Sequence, residues 1–145
     1  MTNPMNNDEK AVSGLTLFAG VAAGGAVGAA ARYGLGLWLN PEPFSGFPWG
    51  TLAANAAGCL LLGALTGYAS VRGMHAFWKE TIGTGVIGSF TTFSAFGAET
   101  FGLLRNGYVG LALLYAVLSI ALGYSAARAG LTIGGSVRKR GGNFG

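Results

Sequence analysis

The chain has 145 residues, of which 51% are hydrophobic and only 10% are charged, and it contains 27 glycines. This composition excludes an ordinary water-soluble globular domain and indicates one small integral membrane domain. The formal net charge of +4 is not arranged as a basic stripe with interleaved aromatic residues, which argues against a nucleic-acid-binding protein.

Four apolar runs with few charges follow one another along the chain. Each approaches the ~20 residues that an α-helix needs to cross ~30 Å of hydrocarbon, so we predict four transmembrane helices. The runs cover residues 14–39, 50–71, 81–104 and 108–127. The predicted division is a polar N-terminal segment at 1–13, a four-helix membrane channel domain at 14–128 and a basic C-terminal tail at 129–145. A cleaved signal peptide is a competing interpretation of the first run, but this run is longer than a typical signal core and further spans follow it.

Small and aromatic residues mark the packing faces and the ends of these helices. Glycines recur every four residues on two of them, at Gly20, Gly24, Gly28, Gly63 and Gly67. This spacing lets helix backbones approach closely in lipid, so we expect a tight bundle that can also self-associate. The tryptophans fall at predicted span ends, where amphipathic rings prefer the membrane interface: Trp38, Trp49 and Trp78. The prolines of residues 40–48 predict a tight connection.

The basic residues are unequally divided between the two ends of the predicted bundle. Four spans put both termini on one side, and that side carries Lys10, Arg72, Lys79, Arg128 and the RKR triplet at residues 138–140. The opposite side carries Arg32 and Arg105. Under the positive-inside rule the termini are therefore expected in the cytoplasm.

Residues 83–99 read GTGVIGSFTTFSAFGAE and are the least lipid-like stretch of the apolar runs. Thr91, Thr92 and Ser94 stand between aromatic rings, and buried polar groups without partners cost ~1–3 kcal/mol each. The glycines before them match G-x-G-x-x-G, but the strand and the acidic residue that a dinucleotide site needs are missing. These glycines serve either a break in the third helix, which would free backbone groups for ions, or the close packing of an unbroken helix.

Phe90, Phe93 and Phe96 recur every three residues and would form a stripe on a helix. Core packing explains such rings when they stand alone, but here hydroxyl groups interleave with them. Ring edges are positive and hydroxyls donate hydrogen bonds, so together they can solvate a small anion. Asn55, in the second span, is a further uncharged donor, which either lines a pore or forms a helix-to-helix hydrogen bond.

Arg32 and Glu99 are the ionisable residues at the span edges, and we interpret Arg32 as an anchor at a wet vestibule. The role of Glu99 stays open. His75 is expected to be solvated in a loop, and the single Cys59 cannot form an intrachain disulfide. The chain has neither a cluster of side chains with metal-ligand spacing nor a set resembling a nucleophile, base and orienting group. We therefore predict that it is not an enzyme.

Three blocks of the sequence resemble the small bacterial fluoride channels, the Fluc or CrcB family. Residues 24–33, GGAVGAAARY, are similar to the family's first-helix pattern GGxxGAxxRY. Residues 50–58, GTLAANAAG, are similar to its second-helix block GTLxxNxxG, and residues 88–96, GSFTTFSAF, resemble GGxTTFSTF. The fourth span adds Tyr115, Ser119 and Gly123 at four-residue spacing.

The resemblance implies an all-α integral membrane protein with four transmembrane helices, the third broken mid-membrane. Such subunits form an antiparallel, dual-topology dimer with two fluoride pores. The fluoride pathway would comprise Asn55, Phe93, Phe96, Thr51, Thr92, Ser94, Tyr115 and Ser119, with Arg32 at the aqueous vestibule. A structural sodium ion (Na+) at the dimer interface would be held by backbone carbonyls of Gly88 and Thr91.

Two positions depart from the family pattern, since Ser89 replaces a second glycine and Ala95 replaces a threonine. Ser89 can still accommodate a helix break, whereas Ala95 argues against a hydroxyl contact at that position. A dual-topology homodimer should show little Lys/Arg bias. The bias of this chain leaves a heterodimer with an oppositely oriented paralogue as the alternative to a homodimer.

The function that the resemblance implies is passive, fluoride-selective export across the bacterial inner membrane, which limits fluoride toxicity. One alternative is a small four-helix proton-coupled multidrug transporter, which would need a carboxylate deep in its first span; residues 14–31 contain none. The other alternative is a non-transporting membrane assembly subunit. Such a subunit would need only the glycine faces and would leave the Thr/Phe/Ser cluster unused.

Overall fold

The computed structural model describes residues 13–39 and 46–136, and within these ranges the chain is helical and contains no β-strand. The helices are α1 (Gly14–Leu39), α2 (Trp49–Arg72), α3 (Ala76–Glu80), a π-helical segment (Thr81–Ile87), α4 (Gly88–Phe90), α5 (Phe93–Arg105) and α6 (Val109–Ser136). The predicted all-α class is confirmed for this part of the chain. Lys10, the basic triplet at 138–140 and most of the connection at 40–48 lie outside the described residues.

Three of the four predicted spans are single long helices. Within the described ranges, α1, α2 and α6 are long and apolar enough to cross a membrane. Helix α6 has 28 residues and continues to Ser136, past Ala127, where the predicted fourth span ends. The third predicted span is instead assembled from shorter pieces, and we call α3, the π-helical segment, α4 and α5 together the third segment.

Helices α2 and α6 form the most extensive helix pair, and glycines line both of its sides. A Cβ atom at Gly63, Gly67, Gly130 or Gly134 would lie against the backbone of the opposite helix. Gly63 faces Gly130, and Gly67 lies one turn further on, beside Leu131, so the two helices run parallel. The α2 glycines were predicted to pack closely, but their partners on α6 were missed because the predicted span ended too early.

Replacing Gly130 by alanine is expected to destabilise the fold by about 1–3 kcal/mol, because the new methyl group would overlap the carbonyl of Leu60. Gly135→Ala is the matched control on the same helix, since a Cβ atom there meets nothing within 4 Å. Alanine is the better helix former, so the control should be neutral or stabilising by up to ~1 kcal/mol. Unfolding in detergent micelles measures both variants, and equal stabilities would contradict the packing described here.

Helix α1 packs along the π-helical segment and α4 through its own glycines. A Cβ atom at Gly20 would lie 2.6 Å from the Thr81 hydroxyl oxygen, and one at Gly28 would overlap the Val86 carbonyl. Residue numbers rise together on both sides, so α1 and the third segment run parallel. Gly85 in turn approaches the backbone of α1. Two roles were left open for the glycines of the third segment, a helix break and close packing. Gly85 has the second role, because it allows close packing against α1.

Helix α2 runs antiparallel to the third segment. Thr51, near the start of α2, bonds to Glu99 in α5, whereas Leu65, further along α2, lies 3.2 Å from the Cβ position of Gly83. Because α1 is parallel to the third segment and α6 is parallel to α2, successive passes of the chain alternate in direction. This alternation agrees with the prediction that both ends of the four-pass bundle lie on one side.

In the described part of the chain few large side chains are buried and many are exposed. The buried hydrophobic cluster consists of Leu52, Leu103, Ala112 and Tyr115. Large apolar side chains such as Leu113, Val117 and Ile120 are exposed on α6. Water-soluble monomers rarely expose a continuous apolar surface of this kind, so lipid or another subunit must cover it. Exposed tryptophans lie at the end of α1, at the start of α2 and in α3: Trp38, Trp49 and Trp78.

Candidate functional site

The helical path of the third segment is interrupted at Thr91 and Thr92, between α4 and α5. Thr91 has a ψ of 153°, and Thr92 has a φ of −151° and a ψ of 124°, so the backbone is extended at both residues. The Thr92 hydroxyl accepts a hydrogen bond from the backbone N–H of Ala95 at 3.2 Å and caps the N-terminus of α5. The interruption therefore lies after the glycine-rich stretch and not within it.

Side chains take up the carbonyl groups that the end of α4 leaves without helical partners. The Thr91 hydroxyl donates to the Ile87 carbonyl at 3.1 Å and also lies 3.3 Å from the Gly88 carbonyl. The Arg32 guanidinium donates through Nε to the Ser89 carbonyl, also at 3.3 Å. Arg32 is thus half-buried beside the interruption, anchored to the third segment, and its location at an aqueous vestibule stays a prediction.

Asn55 reaches the interruption from α2 and forms two hydrogen bonds with one residue. Its Nδ2 donates to the Thr92 carbonyl at 3.0 Å, and its Oδ1 accepts from the Thr92 backbone N–H at 2.7 Å. Asn55 therefore forms the helix-to-helix hydrogen bond that was one of its two predicted roles. Contact with a permeating ion remains a prediction.

Glu99 lies among hydroxyl donors from two other helices. The Thr51 hydroxyl donates to Oε1 at 2.6 Å, and the Tyr115 hydroxyl donates to Oε2 at 2.7 Å. Both donors are buried, and Tyr115 has no exposed surface. Glu99 itself is half-buried, and hydrogen bonds from such donors offset part of the desolvation of a carboxylate. The structure thus supplies the role that the sequence left open for Glu99.

The sequence did contain a signal for this arrangement. Thr51 and Asn55 are one turn apart on α2, and their partners Glu99 and Thr92 are two turns apart on an antiparallel segment. Polar residues that repeat at helical spacing on two apolar segments are expected to face each other, because each needs a partner in lipid. Reading the two segments as an antiparallel pair would have matched Glu99 with Thr51.

The phenylalanines do not form one helical stripe, because Phe90 belongs to α4 whereas Phe93 and Phe96 follow the interruption in α5. The Phe93 and Phe96 ring centroids are 5.8 Å apart at an interplanar angle of 37°. Phe96 also packs against Tyr115, with centroids 5.0 Å apart, and is half-buried. Phe93 is 84% exposed, so most of its ring is available to something outside the subunit.

Two further hydroxyl residues of the predicted pathway have different surroundings. The Ser94 hydroxyl lies 3.1 Å from the Thr92 hydroxyl, and Ser94 is exposed. Ser119 is half-buried on α6, one turn after Tyr115. His75 is exposed, as predicted, and its Nδ1 accepts a hydrogen bond from the backbone N–H of Phe77 at 3.3 Å.

Gly88 and Thr91 are the residues predicted to hold sodium through their backbone carbonyls. Gly88 is exposed, and a cavity of about 290 Å³ lies beside it, lined in part by Leu62, Thr66 and Glu80. Carbonyls at the C-terminal end of a helix carry partial negative charge, which suits a cation. Within the described ranges no group of three or more His, Cys, Asp or Glu side chains could hold a metal ion.

The polar and aromatic groups of the site form two connected sets, which lie next to each other in sequence at the start of α5. Hydrogen bonds connect Thr51 and Tyr115 through Glu99, ring contacts continue from Tyr115 to Phe96 and Phe93, and Thr92 and Ser94 stand at the interruption. Long apolar helices around an interrupted polar segment are the architecture of membrane transport proteins. The class that the fold and the site define is therefore a multi-pass membrane protein in which one helical segment is interrupted.

Comparison with known proteins identifies the family. The family model for "CrcB-like protein, Camphor Resistance (CrcB)" matches residues 19–131, and the chain belongs to this family. The fluoride-specific ion channel FluC of Erythrobacter litoralis is 45% identical over 119 residues, which cover 78% of this chain and 88% of that protein. FluC of Thermus thermophilus is 46% identical over 118 residues, covering 81% and 92%. FluC 2 of Symbiobacterium thermophilum is 49% identical over 109 residues, covering 74% and 89%.

These comparisons confirm the resemblance found in the sequence. Because the relatives are named as ion channels, family membership also confirms that the chain is not an enzyme. Together with the three long apolar helices, it identifies the chain as a membrane protein. The family match covers the membrane helices and the interruption, so the site described above belongs to the part of the chain that is shared with the channels.

Proposed function

We propose that this chain forms a fluoride-selective channel, which releases fluoride passively from the bacterial cytoplasm across the inner membrane and so limits fluoride toxicity. The observation that carries the proposal is that two aromatic rings and two hydroxyls come together in sequence at the start of α5, directly after the interruption: the Phe93 and Phe96 rings contact each other, and the Thr92 and Ser94 hydroxyls lie 3.1 Å apart. The names of the three relatives described above, which are 45–49% identical over most of the chain, support the same ion.

Fluoride is small and strongly hydrated, so a pore must replace its water with hydrogen-bond donors and positive ring edges. The binding must also be weak enough for the ion to leave. Hydroxyls, an amide and phenyl edges satisfy both demands, because none of them carries a full positive charge that would trap the anion. The pathway we propose is lined by Thr51, Asn55, Thr92, Phe93, Ser94, Phe96, Tyr115 and Ser119, with Arg32 at the vestibule.

We further propose that two copies of the chain assemble in opposite orientations, with the interruption inside the membrane. Phe93 is 84% exposed although it lies in the polar path, which suggests that a second subunit completes its surroundings. The exposed apolar side chains of α6 offer further surface for lipid or a partner. A heterodimer with a paralogue is the alternative, and the number in the name FluC 2 indicates that some bacteria carry more than one such protein.

In this assembly a sodium ion would be held between the subunits by the Gly88 and Thr91 carbonyls. One subunit supplies too few oxygens for a hard cation, so the ion would bind only to the dimer. Its role would be structural, because it would neutralise the carbonyl ends of two interrupted segments.

Removing sodium is expected to lower the stability of the dimer. A ligand present at 100 times its dissociation constant stabilises the protein that binds it by about 2.7 kcal/mol, and this stabilisation is lost when the ligand is absent. Dimer dissociation in detergent would be followed while sodium chloride is replaced by N-methylglucamine chloride at constant ionic strength. Stability that does not depend on sodium would remove the ion from the proposal.

A growth experiment tests the function in cells. Bacteria that lack their own fluoride exporter should grow at otherwise inhibitory fluoride concentrations when they express this chain, and they should not gain resistance to organic cations. Growth that stays as sensitive as with an empty vector, despite membrane expression, would contradict the proposal. Resistance to organic cations instead would favour the multidrug-transporter alternative, for which the described part of α1 supplies no carboxylate.

A further inference from the structure

The interruption leaves backbone groups of Thr92 that an unbroken helix would have paired. In an α-helix the N–H of Thr92 would donate to the carbonyl of Gly88, four residues earlier. Here the Thr91 hydroxyl lies 3.3 Å from that carbonyl and 3.1 Å from the Ile87 carbonyl, between which its one proton is shared, and the Thr92 N–H donates to the side chain of Asn55. Buried backbone groups are almost always paired, so the residue that pairs Thr92 helps to decide whether the extended conformation persists.

Asn55 pairs both backbone groups of Thr92 at once. The bonds of 2.7 Å and 3.0 Å run in opposite directions, as between two strands of a sheet, and the amide thereby substitutes for a neighbouring strand. They also fix the orientation of the amide, because turning it over would place a donor against the Thr92 N–H and an acceptor against the Thr92 carbonyl. Among the hydrogen bonds of the described residues, no other side chain pairs both backbone groups of one residue in the interruption.

The positions of the residues that follow Thr92 depend on the backbone conformation of Thr92. Thr92 is the N-cap of α5, and the helix begins with Phe93. The direction in which α5 leaves the interruption therefore sets where the Phe93 ring and the Ser94 hydroxyl lie. Arg32 acts on the other side of the interruption, on the Ser89 carbonyl, so it does not replace Asn55.

We infer that Asn55 is a positioning residue, which holds Thr92 extended and thereby sets the direction of α5 and of Phe93. The clamp itself is independent of what the protein conducts, whereas its consequence for fluoride rests on the proposed function. A direct anion ligand would act differently, because its removal would weaken ion binding and leave the backbone at Thr92 unchanged.

Amide hydrogen exchange in fluoride-free buffer tests the clamp. In Asn55→Leu the Thr92 N–H is expected to exchange about tenfold faster or more, because its acceptor is gone. The N–H of Ala112, which donates to the Tyr108 carbonyl at 3.0 Å in another helix, is the internal reference and should be unchanged. Asn55→Asp keeps an acceptor oxygen and loses the Nδ2 donor, so its Thr92 N–H should exchange within about threefold of the wild-type rate.

Fluoride flux in liposomes, measured on the same variants, separates the two roles. We expect the flux of Asn55→Leu to fall about tenfold or more together with the faster exchange at Thr92. A fall in flux with wild-type exchange at Thr92 would overturn the inference in favour of a direct ligand, and faster exchange with wild-type flux would overturn it as well. If the wild-type protein carried no fluoride, the proposed function would fail, while unchanged exchange in Asn55→Leu would independently refute the clamp.

Discussion

Phe93→Ile is expected to lower fluoride flux by about tenfold or more, because a branched aliphatic side chain has no positive ring edge to replace the water around the ion. The loss should not reflect misfolding. Phe93 is 84% exposed, and the ring contact that the structure gives it is with Phe96 at 5.8 Å. Flux from liposomes of equal protein content would measure the effect.

Phe101→Ile is the matched control for this substitution. Phe101 lies on the same helix, is 66% exposed and contributes to none of the hydrogen bonds or ring contacts of the site. Its replacement should leave the flux within about twofold of the wild-type value, since surface substitutions away from functional groups have small effects. Near-wild-type flux in Phe93→Ile would show that the ring edge is not needed, and an equal loss in both variants would assign the effect to assembly.

Tyr115→Phe is expected to destabilise the protein by about 1–3 kcal/mol, because the Glu99 carboxylate loses one of its two hydroxyl donors in a buried position. In the Glu99→Gln background the same substitution should lower the free energy of unfolding by less. A neutral amide that lacks a hydrogen-bond donor is less destabilising than a carboxylate that lacks one. The difference between the two costs is a coupling energy, which we expect at about 1 kcal/mol.

Unfolding of the four proteins of this cycle in detergent would measure the coupling. Thr51→Val supplies a second cycle through the other carboxylate oxygen, and it should give a coupling of the same sign. Tyr124→Phe is the control, because Tyr124 is exposed on α6 and should show no coupling to Glu99. Additive costs for Tyr115 and Glu99 would mean that the carboxylate of Glu99 gains nothing from this hydrogen bond beyond what a neutral amide would gain.

The membrane passes and their packing were largely predictable, because hydropathy and glycine spacing are local properties of the sequence. The runs at residues 14–39 and 50–71 correspond closely to α1 and α2, and the glycines at Gly63 and Gly67 do pack against a helix. The extension of α6 to Ser136 was not predicted, because the run was ended at Arg128. A single charge near the end of a long helix does not stop it, since arginine can reach the interface.

The details of the third segment were less accessible to the sequence. The glycines suggested a break, yet Gly83 and Gly85 lie in a continuous π-helical segment, and the interruption comes at Thr91 and Thr92. What decides its position is a tertiary contact, the pair of hydrogen bonds from Asn55, which is 37 residues away in sequence. Local propensity contains no information about such a partner. The resemblance to the family identified residues 88–96 as a functional block, but it did not predict the hydrogen bonds that this block forms.

The most direct test of the central proposal is fluoride efflux from liposomes that contain the purified protein, compared with chloride efflux under the same gradient. We expect rapid fluoride release that needs only a permeable counter-ion and no nucleotide, together with chloride release near that of protein-free liposomes. Fluoride release no faster than from protein-free liposomes, or chloride release at the rate of fluoride, would contradict a fluoride-selective channel.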